Sequence, residues 1–228
     1  MFNQEKFAQI LELVKSKNNL GEEIYIVGAT KTISIDEINL AISKGLKIVA
    51  ENRVQEFREK TDLIVGASQH FIGHLQTNKV KYLVGKVDLI HSIDSFHLAS
   101  AVSECAKRKN IVQDVLVEIN IGGELSKSGI NPQNAISEIE KISSLDGIKV
   151  KGLMAMLPKT RDKEKLQALT LQMREIFDII KKDNPNITYL SVGMSSDYDV
   201  AIKNGSNMIR LGSAIFGERN YGEKNGNI

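Results

Sequence analysis

Residues 189–216 read YLSVGMSSDYDVAIKNGSNMIRLGSAIF. Two almost wholly apolar runs, Tyr189–Met194 and Met208–Phe216, enclose a helical pattern at 197–204. Continuous apolarity, in place of alternation, marks strands covered on both faces. Two such strands joined by a helix form a parallel unit with a right-handed crossover. Each run carries a glycine-bearing polar turn, Gly193-Met194-Ser195-Ser196 in one and Gly212-Ser213 in the other.

The same unit recurs upstream. Apolar runs at Ile24–Ala29, Ile48–Ala50, His70–Leu75, Leu89–Ile93, Asp114–Ile121 and Val150–Leu157 bring the predicted strands to eight. Helical patterns lie near residues 35–44, 53–66, 77–84, 96–108, 133–143 and 163–182, and a leading helix at 3–17 places Phe7, Ile10, Leu11 and Val14 on one stripe. Ser34 and Glu37 have capping-box spacing, Asp94 or Ser95 can cap the next helix, and Pro132 suits a first turn. Eight helix–strand units in 228 residues predict an α/β chain closed as a single TIM-type (β/α)8 barrel with a leading N-terminal helix. A doubly wound open sheet is the rival, because periodicity does not report closure. No linker or composition break divides the chain, so one domain over 1–228 is expected, with 220–228 as a flexible polar tail.

Composition narrows the function. Hydrophobic residues are 42%, charged residues 25%, and the net charge is +2. With no long basic run, the chain has no electrostatic case for nucleic acid or an anionic membrane. No apolar run reaches membrane-spanning length, and the amphipathic N-terminus lacks a signal peptide's apolar core, so the sequons at Asn186 and Asn204 carry no weight. The single cysteine, Cys105, excludes an intrachain disulfide and fits a reducing, cytoplasmic setting; its alanine-rich surroundings read as a packed thiol.

In a barrel, chemistry gathers at the C-terminal ends of the strands. There the chain places Lys31, Glu51-Asn52-Arg53, His74 through Lys79, Asn120 through Gly123, Ser195-Ser196-Asp197 and Arg210 through Ser213. Free N–H groups and hydroxyls in the turns after strands seven and eight suit a phosphate. The competing reading has Ser195 or Ser196 capping the next helix, with Asp199 completing the pattern. Lys31 alone reads as a surface lysine, but at a barrel mouth desolvation favours the neutral, nucleophilic amine. A lysine and a phosphate turn on one rim suit an aldehyde–phosphate cofactor, and pyridoxal 5′-phosphate (PLP) fits. Arg210 could face the pyridine nitrogen and keep it unprotonated, or could pair with Asp197 or Glu51. The four histidines lack metal spacing; His70 and His74 fall on one predicted strand without converging, so no metal is expected. Met154 and Met156 read as packing residues of the barrel or of a ligand.

At these residues the chain resembles the pyridoxal phosphate homeostasis family. The matching segments are Val27 through Thr32, Glu51 through Glu56, His70 through Lys79, Ser126 through Gly129, Gly152 through Met156, Ser191 through Asp197 and Arg210 through Gly217. Ala50 and Gln69 stand where the family commonly has glycine and tryptophan. The resemblance implies a barrel like the N-terminal domain of alanine racemase. It also implies PLP as a Schiff base on Lys31, Asn52 near the cofactor, Ser195, Gly212 and Ser213 on the phosphate, and Arg210 toward the pyridine nitrogen.

The implied role is intracellular PLP homeostasis by a carrier or regulator without robust catalysis, with PLP-requiring apo-enzymes as candidate recipients and a monomer expected. Racemases of this type take an opposing base from a second domain across a dimer. Only a short tail follows strand eight here, so an open site suited to loading and release is expected. The alternatives are a PLP-dependent amino-acid racemase-like enzyme and a barrel enzyme for a phosphorylated metabolite. Whether a second lysine, such as Lys79, relays PLP stays open.

Overall fold

The computed structural model describes residues 2–124 and 126–217; the expected tail at 220–228 lies outside them. Eight parallel strands close into a barrel in sequence order. They are β1 (Tyr25–Ala29), β2 (Ile48–Glu51), β3 (Ser68–Phe71), β4 (Leu89–Ile93), β5 (Gln113–Ile119), β6 (Ile148–Ala155), β7 (Tyr189–Met194) and β8 (Met208–Leu211). Pairing of β1 with β8, from Tyr25↔Met208 to Gly28↔Leu211, closes the ring and rules out the open sheet. The helices are α1 (Gln4–Lys15), α2 (Ile35–Ser43), α3 (Val54–Lys60), α4 (Phe96–Arg108), α5 (Ala135–Ser143), α6 (Lys163–Asp183), α7 (Tyr198–Lys203) and α8 (Ser213–Phe216).

Local chemistry explains most boundaries. The Asn3 side chain accepts the Lys6 N–H to start α1, which buries Phe7 and Ile10 on the outside of the barrel. Ser95 Oγ accepts the Leu98 N–H to cap α4. Ser34 caps α2 through the Glu37 N–H, while a Glu37 oxygen accepts the Phe2 N–H and ties the N-terminus to that helix. Pro132 opens a 3₁₀ turn that leads into α5. The helix predicted near 77–84 is 3₁₀ over Thr77–Tyr82, and α3 gives way to a 3₁₀ turn at Thr61–Leu63.

Four predicted strands run past the observed ends, β5 and β6 by two residues each and β3 and β8 by more. β3 stops at Phe71, so His74 lies in the following turn, and β8 stops at Leu211 because the chain turns at Gly212 into α8. There the Ile215 and Phe216 N–H groups both return to the Gly212 carbonyl, at 3.0 and 2.8 Å.

Apolar side chains fill the space between strands and helices and also the floor of the barrel, where Val27, Ala50, Leu89, Leu116, Met154 and Met208 meet. Tyr25 and Tyr189 pack edge to face against this floor at 5.2 Å. Met154 and Met156 are thus packing residues, and Cys105 is a buried free thiol. One step further along the strands, side chains of the same inward parity are polar and buried: His70, His91, Glu118, Ser191 and Arg210.

Candidate functional site

The turn after β7 is held in place from beneath. Gly193 has φ of +102°, and a Cβ there would sit 2.8 Å from Ala201 Cβ and 3.1 Å from Tyr198 Cα. Its bare backbone lets α7 pack directly on β7. Asp197 then folds the turn back, its Oδ1 accepting the Met194 N–H at 2.6 Å. This frees Ser195 from the capping role that its spacing suggested: α7 begins after Asp197 with no side-chain cap bond. Instead Ser195 Oγ crosses to the β8 turn and accepts the N–H groups of Gly212 (3.1 Å) and Ala214 (3.2 Å). Two backbone donors therefore converge on one oxygen. Ser213, between them, is an exposed residue.

Arg210 is 5% exposed and makes neither of the predicted ion pairs. Its Nη1 donates to the Ser191 carbonyl and to Ser191 Oγ, both at 2.7 Å, and its Nη2 donates to the Ala155 carbonyl at 2.9 Å. A guanidinium has five N–H donors. Three are used, so two have no partner among the described residues. Burial lowers the Arg210 pKa to about 10, which leaves it cationic at neutral pH. Glu118 is the carboxyl that acts most strongly on it: burial, with help from Asp94 and against Arg210, pushes the Glu118 carboxyl up to about 7.

The buried histidines continue this network. A guanidinium only donates, so Ser191 Oγ accepts from Arg210 and can pass its own proton toward His91 Nδ1, 3.4 Å away. His91 then carries its proton on Nε2 and donates it to His70 Nδ1 at 3.0 Å. Burial holds both rings neutral, with His70 down to about 4 and His91 well below its ordinary range. His70 and His74 do not share a strand; His74 lies exposed at the mouth, 3.4 Å from Asp94. Among the described residues no cluster could hold a metal ion, and no helix is long and apolar enough to cross a membrane.

Lys31 follows β1 by two residues and is half-buried, and its amine has no partner among the described residues. Because Gly28 pairs with Leu211, the turns containing Lys31 and Gly212 leave the barrel side by side. Asn52 stands two residues past Ala50, which pairs with Ala29, and is therefore level with Lys31. A Cβ at Gly73 would lie 1.9 Å from the Asn52 carbonyl oxygen, so the β3 turn rests directly on Asn52.

The surroundings of Lys31 bring in one residue that the sequence did not single out, Lys60, and give Glu51 and Glu56 partners that chain order does not show. Lys60, at the end of α3, reaches under the turn and donates to the Thr30 carbonyl (2.9 Å), Glu51 Oε1 (2.8 Å) and Glu56 Oε2 (3.2 Å). Glu51 Oε1 also accepts from Thr30 Oγ1 at 2.8 Å, and Glu56 Oε2 from the Thr32 N–H at 2.7 Å. Lys60 shares a helix face with Glu56, four residues apart, and that spacing was the available signal.

The family model for the alanine racemase N-terminal domain matches residues 5–220. A pyridoxal phosphate homeostasis protein of Aquifex aeolicus is 41% identical over 95% of this chain and 98% of its own length. Its counterpart in Vibrio cholerae is 33% identical over 94% and 93%. The solved structure of PipY from Synechococcus elongatus with PLP bound superposes with a TM-score of 0.80 at 29% identity, covering 94% of this chain and 99% of that one. A closed barrel of this topology, matched over nearly its whole length by such relatives, belongs to the pyridoxal phosphate homeostasis protein family, built on the alanine racemase N-terminal domain.

Proposed function

We propose that this protein binds PLP as a Schiff base on Lys31 and serves PLP homeostasis as a carrier or regulator. The observation that carries the reading is the pair of backbone N–H groups, from Gly212 and Ala214, converging on Ser195 Oγ beside the turn that bears Lys31. Such paired donors suit a phosphate oxygen, and Ser195 and Ser213 add hydroxyls. Arg210 supplies two unused donors from a buried, cationic guanidinium, which suits the lone pair of a pyridine nitrogen. Asn52, level with Lys31, has a side-chain amide without a partner among the described residues. The PLP-bound relative supports the same ligand.

PLP supplies an aldehyde that condenses with an amine and a ring that accepts electrons when its nitrogen is protonated. A guanidinium opposite that nitrogen disfavours protonation, since two adjacent positive charges repel. The site of this chain thus suits holding and releasing PLP better than catalysis on amino acids, and the names of the relatives point the same way. We read the protein as a cytoplasmic monomer whose single domain hands PLP to PLP-requiring apo-enzymes.

The test is spectroscopic. Purified protein mixed with PLP should gain visible absorbance, and borohydride should bleach it and leave a reduced pyridoxyl label on the peptide containing Lys31. Lys31→Ala should take no label there. A wild-type protein that takes up no PLP would defeat the reading. Exchange of amino-acid α-protons for deuterium faster than with free PLP would defeat the non-catalytic part.

A further inference from the structure

The two peptide groups that flank the Lys31 Cα are both gripped by side chains. On one side Lys60 donates to the Thr30 carbonyl at 2.9 Å, and on the other Glu56 accepts the Thr32 N–H at 2.7 Å. The two grips are joined, because Lys60 also contacts Glu56 at 3.2 Å. Glu51 completes the frame by accepting from both Lys60 and the Thr30 hydroxyl at 2.8 Å.

This arrangement is unfavourable on its own. Thr32 has φ of +64°, a left-handed conformation that a β-branched side chain resists. Glu51 is buried, and its Oε2 has no hydrogen-bond partner among the described residues. Burying a carboxylate with one oxygen unsatisfied destabilises a fold unless something else is gained. Strain and an unpaired charge-bearing atom thus meet within a residue or two of the proposed attachment point.

The frame also sorts the two amines. Lys60 donates three hydrogen bonds, the full complement of an ammonium group, and so has no lone pair to offer. Its side chain is only 13% exposed. The Lys31 amine has no such partners among the described residues. In attachment the neutral Lys31 Nζ attacks the aldehyde carbon, the C=O bond breaks as C=N forms, and the oxygen leaves as water carrying the two protons of the amine. Only an amine that can present a lone pair takes part.

We propose that Lys60, Glu51 and Glu56 form a positioning group that sets the backbone of Lys31 for cofactor attachment and confines attachment to Lys31. This rests on the PLP reading above. Lys60→Met should slow the rise of visible absorbance with PLP by about tenfold or more, since small misplacements of a reacting group have effects of that order. Binding of pyridoxine 5′-phosphate, which keeps ring and phosphate but has no aldehyde, should change less than about twofold, because its anchors at Ser195, Arg210, Gly212 and Ser213 belong to β7, β8 and their turns and make no contact with Lys60, Glu51 or Glu56. Glu56→Ala should act in the same direction and decides the matter if Lys60→Met does not fold. Unchanged attachment rates in a folded variant would overturn the proposal. So would a parallel loss of pyridoxine 5′-phosphate binding, which marks general damage to the site. Failure of the PLP reading itself would look different, because the wild-type protein would then take no borohydride label on Lys31.

Discussion

Ser195 is the residue on which two turns depend. Its Oγ takes the N–H groups of Gly212 and Ala214, at 3.1 and 3.2 Å, where strand-ending loops would otherwise leave them to solvent. Ser195→Ala removes that acceptor and one hydroxyl donor to a phosphate. Losing one such hydrogen bond is worth about 1–2 kcal/mol, so Kd for PLP should rise roughly 5- to 30-fold. Equilibrium dialysis with Ser195→Ala checks this, and an unchanged Kd would remove Ser195 from the site. Arg210 acts at the same scale but differently: three of its donors are spent on β6 and β7, so its position is set before any ligand arrives.

The β7–α7–β8 unit shows how an element positions a site. Gly193 allows α7 to approach β7, and Asp197 turns the chain so that Ser195 faces β8 and not the helix N-terminus. Gly193→Ala would place a Cβ 2.8 Å from Ala201 Cβ at a φ of +102°. Overpacking and the wrong backbone region together should lower stability by roughly 2–4 kcal/mol. Urea unfolding of Gly193→Ala measures this, and a loss under about 0.5 kcal/mol would show that the strand and helix separate freely.

Across the whole molecule, the barrel carries a buried polar layer above an apolar floor, and this layer makes stability depend on pH from both sides. Burial lowers His70 from 6.5 to about 4, so the stability tied to its neutral form is present above pH 6.5 and lost as pH falls toward 4. Glu118 runs the other way. Burial raises it from 4.5 to about 7, so its contribution is present below pH 4.5 and lost as pH rises through 7. Each is on the order of 3 kcal/mol at full effect. Thermal melts across pH 4 to 8 should show a shallower acid-side decline in His70→Gln and a shallower decline toward neutral pH in Glu118→Gln. Parallel curves for wild type and either variant would show that the group titrates in the folded state as it does in the unfolded chain.

The sequence by itself determined the repeating strand–helix order, most element positions, the rim that carries Lys31, Asn52, Ser195, Arg210, Gly212 and Ser213, and the burial of Cys105. These follow from one-dimensional signals: apolar runs, helical periodicity and turn residues read along the chain. Tertiary structure alone decided closure through β1 and β8, the partner of Ser195, the pairing of His70 with His91, and the placing of Lys60 beneath the Lys31 turn. A barrel strand is covered on both faces, so its apolar run does not reveal which polar residues point inward. Contacts such as Ser191 with His91, 100 residues apart, depend on strand register around a closed ring, which no local pattern encodes.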